Sequence, residues 1–154
     1  MIRRKYWAFA LPYIQEKFGY QGTFSNVNPG ISNWISGFFG VGGFNISCTA
    51  NYDGARVQLW LGKFDRDKNK EAFDYLYNRK AEIEETLGEP IRWERGDDCR
   101  ASSLIYELPG VSVTNETDWI RMAKFHAEYS RKMCDAVLPV LKELYPATKI
   151  PKKE

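Results

Sequence analysis

The sequence predicts an α+β fold: an N-terminal helix and a long loop, then two ββα units forming an antiparallel sheet of about four strands covered by helices. Three observations carry this expectation. Apolar residues recur at helical spacing near both ends of the chain, strict apolar/polar alternation marks paired strand segments, and helical periodicity follows each pair. At 154 residues the chain is one domain's worth, long enough to bury about 70% of its unfolded surface without a disulfide or metal. Residues 1–146 are assigned to this single domain and 147–154 to a short basic tail.

From about Arg3 to Phe18, Tyr6, Phe9, Ala10, Tyr13 and Ile14 share one helical face, Gly19 supplies a stop, and Pro12 is expected to kink or restart the helix. Gly19 to Gly43 holds seven of the twelve glycines together with Asn28-Pro29-Gly30, and reads as a long irregular connection. Loops of that length are uncommon unless functional. Phe44, Ile46, Cys48 and Ala50, then Val57, Leu59 and Leu61, alternate with polar or half-polar neighbours across a turn at Asn51-Tyr52-Asp53-Gly54, as in a β-hairpin. Asp67 or Asn69 is placed to cap a helix carrying Phe73, Leu76, Ile83 and Leu87, which ends at Gly88-Glu89-Pro90. A second hairpin pairs 91–95 with 102–108 around Gly96-Asp97-Asp98. The last helix, Thr117 to about Leu144, puts Trp119, Met122, His126, Tyr129, Met133, Val137, Val140 and Leu144 on one stripe, with a kink expected at Pro139.

Twenty-two Lys and Arg against twenty Asp and Glu leave +2, so affinity for a polyanion would have to arise from local clustering. Cys48, Cys99 and Cys134 are odd in number, far apart and without CxxC spacing, which fits reduced thiols. In MIRRKYWAFALPY, Lys5, Tyr6 and Pro12 interrupt any run suited to a signal peptide or membrane span. The expectation is therefore a soluble, cytoplasmic protein without membrane contact.

No constellation for catalysis stands out, and no cofactor or metal is expected. A restriction-type nuclease centre needs an acidic residue and a Glu or Gln that meet across a hairpin, with Lys two residues further on. Here Asp53 lies in a turn, and Trp60 occupies the Lys position after Gln58-Leu59. His126 is the single histidine and sits on an apolar stripe, so it reads as a core residue satisfied by a hydrogen bond. Cys48 reads as a small core hydrophobe, Cys99 as an exposed thiol without a base, and Asp97-Asp98 as turn residues bonded to local backbone. P-loop, GxGxxG and GxSxG patterns are absent, and Gly40-Val41-Gly42-Gly43 lacks the Lys and helix of a phosphate cradle.

The remaining candidate is Ser25-Asn-Val-Asn-Pro-Gly-Ile-Ser-Asn-Trp-Ile-Ser-Gly37. Asn28-Pro29-Gly30 suits a type II turn. Ser25, Asn26, Asn28, Ser32, Asn33 and Ser36 offer donors and acceptors, and Trp34 offers a stacking face, a combination that can hold a nucleobase or another flat polar ligand. The same amides could instead cap their own loop while Trp34 and Ile35 pin it to the sheet. Arg3, Arg4 and Lys5, Lys63 and Arg66, and Arg95 and Arg100 are the candidates for phosphate contacts.

The stretches RRKYWAFALP, FSNVNPGISNWISG, DGARVQLWL, NKEAFDYLYNRKAEIE and WERGDDCRASSLIYELPGVSV, with the Asp118-Trp119 opening of the last helix, resemble an uncharacterised family, domain of unknown function 4268. The resemblance implies a domain found alone or at the C-terminus of bacterial and archaeal proteins with nuclease-like parts, in a restriction or defence setting. Members often carry Glu where this chain has Gln58, so a carboxylate role there does not carry over. The expectation is thus a non-catalytic nucleic-acid recognition or accessory domain. The alternatives are a nucleotide-like small-ligand binder, or a protein-interaction or homodimeric module using Trp34, Phe38 and Phe39.

Overall fold

One antiparallel sheet organises the molecule. The computed structural model describes residues 1–19, 22–38, 40, 44–62 and 64–146. Five strands, β1 (Trp34–Phe38), β2 (Phe44–Ala50), β3 (Gly54–Leu61), β4 (Arg92–Glu94) and β5 (Ser102–Pro109), lie in the order β1-β2-β3-β5-β4. Every neighbouring pair is antiparallel. The helices are α1 (Ile2–Phe18), α2 (Arg66–Tyr77), α3 (Lys80–Leu87) and α4 (Trp119–Leu144), the last entered through a 3₁₀ turn at Glu116–Asp118. None is long and apolar enough to cross a membrane.

Side chains alternate across the sheet, so each strand contributes one set to the helices and one to the opposite face. Ile35, Phe44, Ile46, Cys48, Ala50, Ala55, Val57, Leu59, Leu61 and Leu104 turn inward and are buried. α4 lies across them, packing on β2, β3 and β5 and against α1, α2 and α3. Its inward stripe includes Met122, His126, Met133, Val137 and Leu141, while α1 adds Tyr6, Trp7, Ala10, Leu11 and Ile14. His126 is fully buried. Its Nε2–H donates to the Thr49 carbonyl at 2.9 Å, which leaves Nδ1 to accept from the Tyr6 hydroxyl at 2.7 Å. The last helix is therefore tied by one imidazole to both the first helix and β2.

The α+β class and the helix-covered antiparallel sheet are as expected, and five strands take the place of about four. The added strand is β1, inside the segment read as irregular. It alternates exposed Trp34, buried Ile35, half-buried Ser36, buried Gly37 and exposed Phe38. Its second inward position is a glycine because a Cβ there would come 2.3 Å from the Thr23 carbonyl oxygen of the preceding turn. That turn, 22–27, is anchored by the buried Phe24 and by Gln15 Nε2 donating to its carbonyl at 3.1 Å.

Other boundaries shift for identifiable reasons. Asp65, rather than Asp67 or Asn69, caps α2 by accepting from the Lys68 backbone N–H. The helix expected through 87 is two, separated at Asn78-Arg79. α1 and α4 each continue through their prolines: Pro12 and Pro139 are exposed, as are Ala8 and Asp135, whose carbonyls lose a partner to water rather than to the core. Gly30 has no positive φ, so Asn28-Pro29-Gly30 is not a type II turn. Residues 147–154, Phe39, Lys63 and Val41-Gly42-Gly43 lie outside the described residues.

Candidate functional site: the open face of the sheet

Helices cover one face of the sheet, and the other is open. Strand register sorts its side chains into cross-strand rows. One runs Trp34, Thr49, Arg56, Glu107; the next Ser36, Ser47, Gln58, Ile105, Arg92; the third Phe38, Asn45, Trp60, Ser103, Glu94. Over β1, β2 and β3 these rows form a groove of about 500 Å³, with Trp34 and Trp60 at opposite corners and Asn33 and Asn51 at one end.

The lining is polar, and its charged member, Arg56, is ion-paired with Glu107. Among the described residues, the side chains of Ser36, Asn45, Ser47 and Thr49 hydrogen-bond to no protein group, although all four are half-buried. Gln58 is engaged, its Nε2 donating to Ser103 Oγ at 2.8 Å. At the end of the groove Asn33 Nδ2 donates to Asn51 Oδ1 at 3.0 Å, and the β2–β3 turn continues into Tyr52. Arg3 reaches this turn from α1: its Nε donates to the Ala50 carbonyl at 3.1 Å and its guanidinium lies 4.6 Å from the centre of the Tyr52 ring. A floor of hydroxyls and amides, aromatic faces at two corners and a guanidinium beyond one end can orient a flat, hydrogen-bonding ring.

Trp34, on the edge strand β1, is 54% exposed. Trp60 takes its position from Gly62, two residues on and on the same face: a Cβ there would stand 2.2 Å from Trp60 Cζ2. The indole therefore leans toward Gly62, away from the row that holds Trp34.

The loop candidates divide. Asn33, Trp34 and Ser36 line the groove. Ser25 lines a different cleft, of about 410 Å³, beside the C-terminal half of α1. Asn26, Asn28 and Ser32 are exposed ahead of β1, and the segment is held through its backbone, with Trp7 Nε1 donating to the Ser32 carbonyl at 2.9 Å and the Ala50 N–H to the Asn33 carbonyl at 2.8 Å. Among the basic candidates, Arg3 stands at the groove end, and Arg4 and Lys5 follow it as exposed residues on α1. Arg95 and Arg100 belong to the β4–β5 connection at the other side of the sheet. Arg95 is neutralised by Asp74, at 2.8 Å, and by Asp97.

Reading the loop alone overlooked Asn45, Ser47, Thr49, Arg56, Gln58 and Trp60. Their signal was in plain view as the polar partners of the alternating hairpin residues, with a tryptophan among them. On the same face between β3 and β4 the charges pair with one another: Glu107 accepts from Arg56 Nε at 3.0 Å and from Arg92 Nη1 at 2.5 Å, and Arg92 Nε pairs with Glu94 at 2.8 Å.

Groups with perturbed acidity lie outside the groove. Burial pushes His126 down to about 4 and raises the Cys48 and Tyr6 groups far above their ordinary values. Lys70 is buried, and burial, with Arg66 and Arg95 nearby, lowers its pKa. Its Nζ donates to the carbonyls of Arg95, Gly96 and Ala101 at 2.5, 2.8 and 2.8 Å and lies 2.9 Å from Ser102 Oγ, clipping the β4–β5 connection to α2. Asp53 is exposed at its turn, while Gln58 and Trp60 face the groove. Among the described residues, no group of three or more His, Cys, Asp or Glu side chains could hold a metal ion.

No curated protein and no solved structure matches the chain. One family model matches residues 2–141, a span that takes in the whole sheet and the groove, and by it the chain belongs to the family described as Domain of unknown function (DUF4268).

Proposed function

We propose that this is a non-catalytic recognition domain that binds exposed bases of a nucleic acid in the groove over β1, β2 and β3. The observation that carries the reading is the solvent-accessible polar floor of Ser36, Asn45, Ser47 and Thr49, which hydrogen-bond to no described protein group, between Trp34 and Trp60. Hydroxyls and amides complement the edges of a base, indoles stack on its faces, and Arg3, with Arg4 and Lys5 behind it, supplies phosphate contacts. An accessory role beside nucleases in restriction or defence fits a domain that recognises bases and leaves cleavage to others, and it is part of the same proposal.

A fluorescence-anisotropy titration with labelled single strands tests it. Binding is expected at low salt, weakening as salt rises, with Trp34→Ala costing about 1–3 kcal/mol and Arg3→Ala with Arg4→Ala flattening the salt dependence. Absence of binding to every single strand and duplex at low salt overturns the reading.

A second reading, a free nucleotide-like ligand, is favoured by one feature: Arg56, Arg92 and Arg95 are ion-paired, which leaves the face little uncompensated positive charge. Thermal-shift measurements with nucleotides, alongside native mass spectrometry of the purified protein, separate the two.

A further inference from the structure

Strand register fixes how far apart the two stacking corners stand. Trp34 and Phe38 are four residues apart on one face of β1, and Trp60 shares the row of Phe38 two strands away. At about 3.4 Å per residue and about 4.8 Å per strand, the Trp34 and Trp60 backbones are about 17 Å apart on the diagonal. One base held between both indoles would need ring planes only about 7 Å apart, twice the stacking rise of about 3.4 Å. The lean of Trp60 toward Gly62 carries its ring further from Trp34.

We infer that the groove takes a single-stranded segment of about three to five nucleotides, one base stacked on Trp34 and a second on Trp60, the chain crossing β2 diagonally between them. This rests on the nucleobase reading above and sharpens it. The diagonal passes over Ser36, Ser47 and Gln58, the part of the middle row on β1, β2 and β3, where no side chain is charged. The intervening nucleotide therefore meets hydroxyls and an amide rather than a cation. Arg3 lies by the β2–β3 turn, next to the row of Trp34, so phosphate contact is concentrated at that end. A duplex is excluded from this mode, because paired bases present no free faces to two indoles on a sheet.

Oligothymidylate and oligouridylate ladders, from the mononucleotide to ten residues, test the inference on the full chain by anisotropy competition and intrinsic tryptophan fluorescence. Affinity is expected to climb steeply until both indoles are engaged, then flatten to the shallow statistical gain of extra registers. Trp34→Ala and Trp60→Ala are each expected to weaken a long strand about 5- to 150-fold and to leave a mononucleotide bound by the other corner. Trp60→Phe, which keeps a stacking face, is expected to recover most of the loss, and circular dichroism confirms that each variant is folded. A mononucleotide that binds as tightly as a decamer, or a Trp60→Ala protein with an unchanged length profile, overturns the two-base inference while leaving the nucleobase reading standing. Failure of every length to bind removes both.

Discussion

On the β3, β5 and β4 side of the open face, Arg56, Glu107, Arg92 and Glu94 neutralise one another through ion pairs of 3.0, 2.5 and 2.8 Å. On the β1, β2 and β3 side, Ser36, Asn45, Ser47 and Thr49 lie between two tryptophans and hydrogen-bond to no described protein group. Both halves come from the same alternation and stand over the same core. The polar groups of the first half are spent on one another, whereas those of the second are left to solvent. The sheet thus neutralises one half of its open surface and leaves the other half free to hydrogen-bond outward.

The largest expected effect separates the halves mechanically. Lys70→Ala removes the buried ammonium that holds three carbonyls of the β4–β5 connection. Leaving those acceptors without a donor is expected to cost about 3 to 5 kcal/mol in urea unfolding. In the native state, amide exchange should accelerate across 92–102, while the indole resonances of Trp34 and Trp60 hold their shifts. Coincident loss of the groove signals would show that the halves are one cooperative unit.

Acid is expected to act on the other half from beneath. His126 holds Thr49, a groove residue, through its carbonyl, and burial lowers the imidazole pKa from 6.5 to about 4. Between those values the unfolded chain binds a proton that the folded protein refuses. The stabilisation is therefore complete above pH 6.5 and is lost as pH falls toward 4, by about 3 kcal/mol. Urea unfolding as a function of pH checks this, with His126→Phe expected to flatten the slope in that window. A variant that keeps the full slope would assign the acid sensitivity to carboxylates such as Asp74, Glu84 and Glu143, whose pKa values are lowered by their partners.

How much of this could be seen in the sequence follows from what each feature depends on. The core strands and the long helix were legible because Ile46, Cys48, Val57 and Leu59, or Met122, Met133 and Val137, repeat at the period of their element. β1 was hidden because, after Ile35, its second inward position is Gly37, chosen for the approach of the Thr23 backbone, so no apolar alternation is visible. Trp34 was found by residue type alone, whereas Asn45, Ser47 and Gln58 read as an ordinary solvated face until register placed them beside it. The ion pairs of Glu107 depend on β5 entering between β3 and β4, and the Lys70 clip on a lysine that helical spacing would leave in water. Neither strand order nor such a clip is written in local periodicity.

The smallest expected effect is the most discriminating. Glu107→Gln removes the carboxylate shared by Arg56 and Arg92, whose side chains are each about 40% exposed. Exposed pairs of this kind contribute little, so stability should fall by less than about 1 kcal/mol. Binding should respond more than folding, because Arg56 lines the groove in the row of Trp34 and Arg92 stands three strands beyond Ser47 in the middle row. If single strands occupy the groove, affinity at low salt should rise several-fold, and the dependence on log salt should steepen by about 0.7 for each phosphate newly contacted. A nucleotide-sized ligand held at Trp34 would gain through Arg56 alone, by no more than one such contact. An unchanged salt slope with unchanged affinity would mean that phosphates never approach Arg56, which would confine charge recognition to Arg3 and its neighbours at the end of the groove.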